Sequence, residues 1–203
     1  FVTEACEYTN SFLSFFPNRE VILNIEADHL DFFKDIDDIR HSFRLFAQKL
    51  PKDGLLVINS DIDRYEEIVD GLECRIVTCG KRTDSNYRAE DITYDHFARA
   101  AFRLMIDGQD AGEITLGVPG EHNVYNALAA IALCRDLGID MEHIRAGLKK
   151  FTGTNRRFEK KGEIGGVTII DDYAHHPQEI AATLAAAKNY PHKKLWCVFQ
   201  PHT

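Results

Sequence analysis

Between Asp171 and Pro177 the chain reads Asp-Asp-Tyr-Ala-His-His-Pro, crowding two carboxylates, a phenol and two imidazoles into six positions. They follow the apolar run Val167 to Ile170, which predicts a buried strand, and precede a segment from Gln178 to Asn189 that predicts a helix with proline in its first turn. In open α/β sheets ligands collect beyond the carboxyl ends of the strands, so Asp171, Asp172, Tyr173, His175 and His176 stand where chemistry is usually done. A well-capped turn, with Asp172 or His176 holding backbone donors, is the competing reading of the same residues.

Polar clusters follow three other strand-like runs: Thr3 to Tyr8, Asp28-His29-Leu30-Asp31, and Gln200-Pro201-His202. Glu4, Asp28 and His29 are hard or borderline donors suited to Mg²⁺, which prefers oxygen ligands, keeps waters and is usually completed by substrate phosphates. Zinc fits less well, because the cysteines are scattered and no HxxxH or HExxH spacing occurs. For His29 alone a hydrogen-bonded structural role competes with a ligand role. From Gly120 to Ala130 a helix N-terminus, which attracts anions, carries His122, Asn123 and Asn126 beside small residues. Asn offers both donor and acceptor, as a purine edge requires; alternatively Asn123 only caps and Asn126 faces solvent. Arg156 and Arg157 follow a glycine-containing connector, from where an arginine can reach phosphates held by a neighbouring domain.

The elements that must hold these groups alternate. Val21 to Ile25, Leu55 to Asn59 and Arg75 to Cys79 read as strands; Ile36 to Leu50 and Asp63 to Val69 read as helices. That alternation predicts a mixed, largely parallel sheet flanked by helices, an α/β fold. From Tyr87 to Gly117 the period changes to two, and Asp107-Gly108 predicts the turn of an appended β-hairpin. A long helix runs from Pro119 through Cys134, and Asp140 is placed to cap a helix from Met141 to Lys150. We place a domain boundary at the connector, giving residues 1–150 and 151–203, the second unit continuing with a strand from Leu195 to Phe199. Phe1 to Thr3 reads as the inside of a strand, and the chain reads as cut at both ends, a fragment.

With 24 basic against 32 acidic side chains the net charge is −8, which argues against nucleic-acid binding and against an anionic membrane surface. No apolar stretch approaches the ~20 residues needed to span a bilayer, and the N-terminus lacks a signal-peptide layout, so membrane insertion is not expected and a cytoplasmic location is. The five cysteines include no CxxC pair and read as reduced packing residues.

Six motifs occur together and in order: Glu4-Ala5-Cys6-Glu7-Tyr8; Asn24-Ile25 with Asp28-His29-Leu30-Asp31; Gly120-x-His122-Asn123-x-x-Asn126-Ala127-x-Ala129-Ala130; Phe151-x-Gly153-x-x-Arg156-Arg157-Phe158-Glu159; Asp171 to Pro177; and Phe199-Gln200-Pro201-His202. In this the chain resembles the Mur ligases over essentially its whole length. The resemblance implies the latter part of a P-loop-type, ATP-binding central domain followed by the start of a Rossmann-like, amino-acid-adding C-terminal domain. It implies an ATP-dependent amide ligase of peptidoglycan synthesis, with ATP and Mg²⁺ as cofactors and UDP-N-acetylmuramate and L-alanine as substrates. By the same resemblance Glu4 and His29 ligate magnesium, and His122, Asn123, Asn126 and Arg157 bind the nucleotide. His29, Asp172 and His175 take the catalytic positions, and Tyr173, His176 and His202 face the muramyl substrate or amino acid.

The sequence departs from the family pattern in three ways. The GxxxxGK[ST] loop is absent, and so is the domain that holds the UDP moiety. Ser42, Phe43 or Arg44 stands where several sister ligases carry a carbamylated lysine, so no such modification is expected, and the chain stops before the arginines that usually follow Phe-Gln-Pro-His. By itself the piece is therefore not expected to catalyse the reaction. A murein tripeptide recycling ligase is the near alternative, and a stand-alone metal-dependent phosphohydrolase using Asp28, His29, Asp172 and His176 is a more distant one. A non-catalytic nucleotide-binding module is a third.

Overall fold

The computed structural model describes residues 1–201. Six strands form one sheet in the order β1 (Arg19–Ile22), β2 (Leu55–Asn59), β3 (Arg75–Cys79), β4 (Tyr87–Tyr94), β5 (Arg99–Ile106) and β6 (Gln109–Pro119). The pairs β1/β2 and β2/β3 are parallel, as crossovers through α1 (Ile36–Ala47) and α2 (Tyr65–Val69) require, and β3/β4 is also parallel, paired at Cys79 and Tyr87. Between β5 and β6 only Asp107 and Gly108 intervene, both at positive φ, which is the backbone a tight hairpin needs. The fold is thus the expected mixed, mostly parallel sheet with a hairpin appended.

Two compact units divide the chain. One comprises residues 1–88, 106–108 and 128–137; the other comprises 89–105, 109–127 and 138–203.

In the first unit β2 is buried along Leu55-Leu56-Val57-Ile58, as a parallel strand covered on both faces must be. Ile22, Ala47, Leu56, Ile58, Ile62, Ile68 and Cys74 form its core. Helix α1 starts at Asp35, whose side chain accepts from the Asp38 amide, and buries Ile39, Ser42, Phe46 and Ala47. At the end of helix α3 (His122–Asp136), Asp136 accepts from Arg19 on β1 and pairs with Arg75 on β3, so one carboxylate ties the helix end to two strands. Ile58→Ala, which opens a cavity in a strand without exposed surface, is expected to cost about 3 kcal/mol, read as a lowered urea midpoint.

In the second unit Phe102, Leu104, Ile114, Leu116, Val118 and Val124 are buried, as is Ile144 of helix α4 (Met141–Lys150). Asp140 caps α4 as its sequence position predicts, accepting from His143 N at 2.9 Å. Arg145 holds α4 to β6 through the carbonyls of Ala111 and Glu113. Beyond the connector, β7 (Glu159–Ile164) and β8 (Val167–Asp171) pair antiparallel across Gly165-Gly166, whose φ values of +57° and +78° fit a tight primed turn. Helix α5 (Pro177–Asn189) follows, with proline at its start.

Several sequence expectations need correction. Residues 167–170 do form a strand, but Val167 and Ile169 are exposed, because β8 has only the hairpin partner β7 and a two-stranded ribbon encloses no core. Strand β7 itself was not foreseen. The strand expected over Val21 to Ile25 lies at Arg19–Ile22; the next acceptor, Leu23 O, is taken by the Asn59 side chain, so the ladder stops. Neither Phe1 to Thr3 nor Leu195 to Phe199 is a strand: no neighbouring strand pairs with them among the described residues, and Val198 is 99% exposed. Cys74 and Cys79 are buried packing residues as expected, whereas Cys6 and Cys197 are exposed.

Candidate functional site

The predicted functional residues fall into two clusters, one in each unit. In the first unit the segment after Glu4 turns into a 3-10 helix, Tyr8–Ser14, in which Thr9 and Asn10 take left-handed backbone. The loop after β1 brings His29 beside it. His29 has φ +53°, a conformation that costs a non-glycine residue about 1 kcal/mol and is held where the surroundings dictate it. Its carbonyl accepts the amides of Phe32 and Phe33, and its own amide donates to Asp28 Oδ1 at 2.7 Å. The imidazole lies against the Tyr8 ring at 4.5 Å between centroids, and the Tyr8 hydroxyl donates to Asp31 Oδ2 at 2.9 Å. That hydrogen bond pushes the Tyr8 phenol up from its ordinary pKa, Asp31's charge adding to it.

The carboxylate beside the imidazole is Glu7, with Oε1 3.7 Å from Nε2; Asp28 Oδ2 is 3.9 Å away. Glu4, the expected partner, is exposed, and among the described residues it forms no ion pair. Glu7 was passed over in the sequence although it belongs to the same motif, because nothing local says which glutamate of Glu-Ala-Cys-Glu turns inward. Among the described residues no three His, Cys, Asp or Glu side chains are grouped so that they could hold a metal ion by themselves. Glu7, Asp28 and His29 are nonetheless donor types that a hard divalent ion retaining most of its water accepts.

The second cluster begins at Gly120, with φ +95°. A Cβ there would lie 2.6 Å from the His122 ring and 3.3 Å from Ala186, so glycine is what admits His122 at the start of α3. Loss of solvation around the ring lowers the His122 pKa; the Asp172 carboxylate counteracts this and Arg157 reinforces it, so both charges act on this ring. Asn126 Nδ2 donates to Asn123 Oδ1 at 3.2 Å, and Asn123 Nδ2 donates to Pro119 O at 2.8 Å. Asn123 is therefore anchored to the chain entering the helix, leaving Asn126 as the exposed amide of the pair. Gly120→Ala is expected to displace His122 and to destabilise by about 2 kcal/mol, measured by thermal unfolding, because it adds both a clash and a strained φ.

Asp172 uses both oxygens on backbone amides, Oδ2 from Phe158 at 2.8 Å and Oδ1 from Ala174 at 2.7 Å. Tyr173 N donates to Arg156 O at 2.8 Å, so the Arg156-Arg157-Phe158 loop and the Asp172-Tyr173-Ala174 turn are laced together. Arg156 and Phe158 both take positive φ in that loop. The guanidinium of Arg156 covers the Tyr173 ring at 4.5 Å, and the His175 ring meets it edge-on at 5.4 Å. His175 and His176 lead into α5. Asp172 thus does the backbone work of the competing reading, while Tyr173 and His175 stay exposed at the surface of the same turn. His202 lies outside the described residues. Between the β5–β6 hairpin, the connector and β7 lies a depression of about 380 Å³ lined by Phe97, Arg99, Arg157, Phe158 and Tyr190 among others.

Comparison with known proteins adds to this geometry. The Mur ligase middle domain matches residues 1–134, and the Mur ligase glutamate ligase domain matches residues 156–203. The chain is 63% identical over 204 residues to UDP-N-acetylmuramate–L-alanine ligase of Lachnospira eligens, covering 100% of this chain and 44% of that protein. It thus spans less than half the length of this relative. The crystal structure of the UDP-N-acetylmuramate–alanine ligase of Thermotoga maritima is similar with a TM-score of 0.74 and 31% identity, over 89% of this chain and 40% of that one. The fold also matches a second Thermotoga maritima ligase, crystallised in complex with ADP, at TM-score 0.73 and 18% identity, over 87% of this chain and 40% of that one.

Proposed function

From the premise that this chain belongs to the Mur ligase family, we propose that its full-length protein is an ATP-dependent ligase that joins L-alanine to UDP-N-acetylmuramate. The observation that carries this reading is the 63% identity to an alanine-adding ligase along the entire chain, through both clusters. Residues 1–150 would then be the latter part of the ATP-binding domain and residues 151–203 the beginning of the amino-acid-adding domain. The protein would work in the cytoplasm on small-molecule substrates.

In this reading a lactyl carboxylate oxygen attacks the γ-phosphorus of ATP, the bond to the β-phosphate oxygen breaks, and ADP leaves. The amine of alanine then attacks the acyl phosphate carbonyl; the amine loses a proton and phosphate departs as the amide forms. Phosphoryl transfer is catalysed chiefly by positioning and by neutralising charge. Asn126, with its exposed amide, and His122 would recognise the adenine or its nearby groups, and Arg157 would meet the nucleotide's anionic side. Asp172 would fix the loop that carries Arg157, through its two backbone hydrogen bonds. Tyr173, His175, His176 and His202 would face the muramyl group or the amino acid. His29 with Glu4 and Glu7 would hold magnesium, whose charge, when bound, neutralises the transferring phosphoryl oxygens.

Phosphate release by the full-length protein is expected only when ATP, UDP-N-acetylmuramate and L-alanine are all present. Turnover of glycine or L-serine far above alanine would overturn the amino-acid assignment. Preference for a preformed tripeptide over alanine would instead identify a recycling ligase.

A further inference from the structure

Glu179 lies in the first turn of α5, and its carboxylate joins the Arg157 loop to the turn that carries His175 and His176. Oε1 accepts from Arg157 Nη1 at 3.1 Å. Oε2 accepts from the backbone amides of His175 at 3.2 Å and His176 at 3.5 Å, and lies 3.6 Å from His175 Nδ1. The two oxygens therefore face opposite ways, one toward the arginine loop and one toward the turn that carries both histidines. Burial alone would raise this carboxyl's pKa, but the hydrogen bonds from His175 and Arg157 outweigh it and hold Glu179 below the ordinary range.

We infer that Glu179 is a positioning residue for the nucleotide: it holds the Arg157 guanidinium in the orientation that meets the bound anion, and locks that orientation to the His175-His176 turn. The inference rests on the reading of Arg157 as a nucleotide contact. A guanidinium on a long side chain has many rotamers, and fixing one before the ligand arrives removes that ordering cost from binding. Arg157 is half exposed, its guanidinium meets the Tyr173 ring only at 6.0 Å, and its ion pair among the described residues is with Glu179, so the glutamate is its principal tether. Glutamine at this position can still accept from the two amides that open α5, but it no longer presents a carboxylate to Arg157.

The test uses steady-state kinetics of the full-length ligase with Glu179→Gln, Arg157→Ala and the double variant. E179Q is expected to raise KM for ATP about fivefold, to change kcat less, and to leave the melting temperature close to wild type. R157A is expected to raise KM at least as much, with little further rise in the double variant because both changes remove one interaction. If R157A raises KM while E179Q leaves it unchanged or lowers it, or if the two effects simply multiply, the inference is overturned and Glu179 only caps α5. An unchanged KM in R157A would overturn the nucleotide reading of Arg157 and the inference with it.

Discussion

His29→Ala in the full-length ligase is expected to lower kcat by about a hundredfold or more, the scale on which a positioned imidazole acts, with a much smaller effect on folding stability. The expectation comes from how the ring is held. Its backbone is kept at φ +53°, its carbonyl anchors Phe32 and Phe33, and Tyr8 backs the imidazole while itself tied to Asp31. A side chain that only filled space would not need so many constraints on its direction. The geometry also ranks the neighbouring acids: Glu7 is the carboxylate 3.7 Å from Nε2, so Glu7→Gln should depress kcat more than Glu4→Gln. Titration with magnesium checks the origin of the loss. Partial recovery of the Glu7 variant at high magnesium is expected if the acid helps hold the ion. Kinetics of the His29 variant indistinguishable from wild type across that titration would remove the first cluster from the mechanism.

What the sequence made legible, and what it hid, separates along physical lines. β2, β3 and α4 were readable because their signals are local: an unbroken β-branched run, or an apolar period of 3.6 behind an aspartate that can reach an amide three residues on. β7 was invisible because Glu-Lys-Lys-Gly-Glu-Ile has no apolar face; a two-residue glycine turn and the pairing with β8 make it a strand. The run Leu195 to Phe199 misled in the opposite direction, since apolar composition supplies no ladder partner. At the site, residue types found the clusters, and ordered motifs assigned their members. The sequence could not show which oxygen each carboxylate commits to the backbone. Asp172, open in the sequence between a site role and a capping role, spends both oxygens on amides, and Glu179, which no motif singled out, bridges a loop to a turn. Glu4 was chosen over Glu7 in the sequence, whereas the carboxylate beside the imidazole is that of Glu7.

The strongest stability effect is expected at Glu20, on β1. Its side chain alternates inward with Ile22, is 5% exposed, and neither carboxylate oxygen has a hydrogen-bond partner. Leu56 is its register partner on β2, and the nearby Cys74 thiol feels its charge; both are apolar or uncharged neighbours, and burial pushes Glu20 up to about 8 from 4.5. The folded state therefore keeps the proton that the unfolded chain releases from pH 4.5 upward. Stability is fullest below 4.5, declines by roughly 1.4 kcal/mol per pH unit as pH rises, and levels off above about 8. Across that window the loss approaches about 5 kcal/mol, a large part of the stability of an ordinary domain. Glu20→Leu removes the ionisable group and adds apolar contact, so the urea midpoint of the variant should exceed wild type at pH 8 and show little slope between pH 5 and 8, where wild type declines. Glu20→Gln should flatten the slope equally but gain less, because its amide stays buried without partners. Parallel pH profiles for wild type and both variants would mean that Glu20 is ionised in the folded protein and finds a counter-charge or water inside β1.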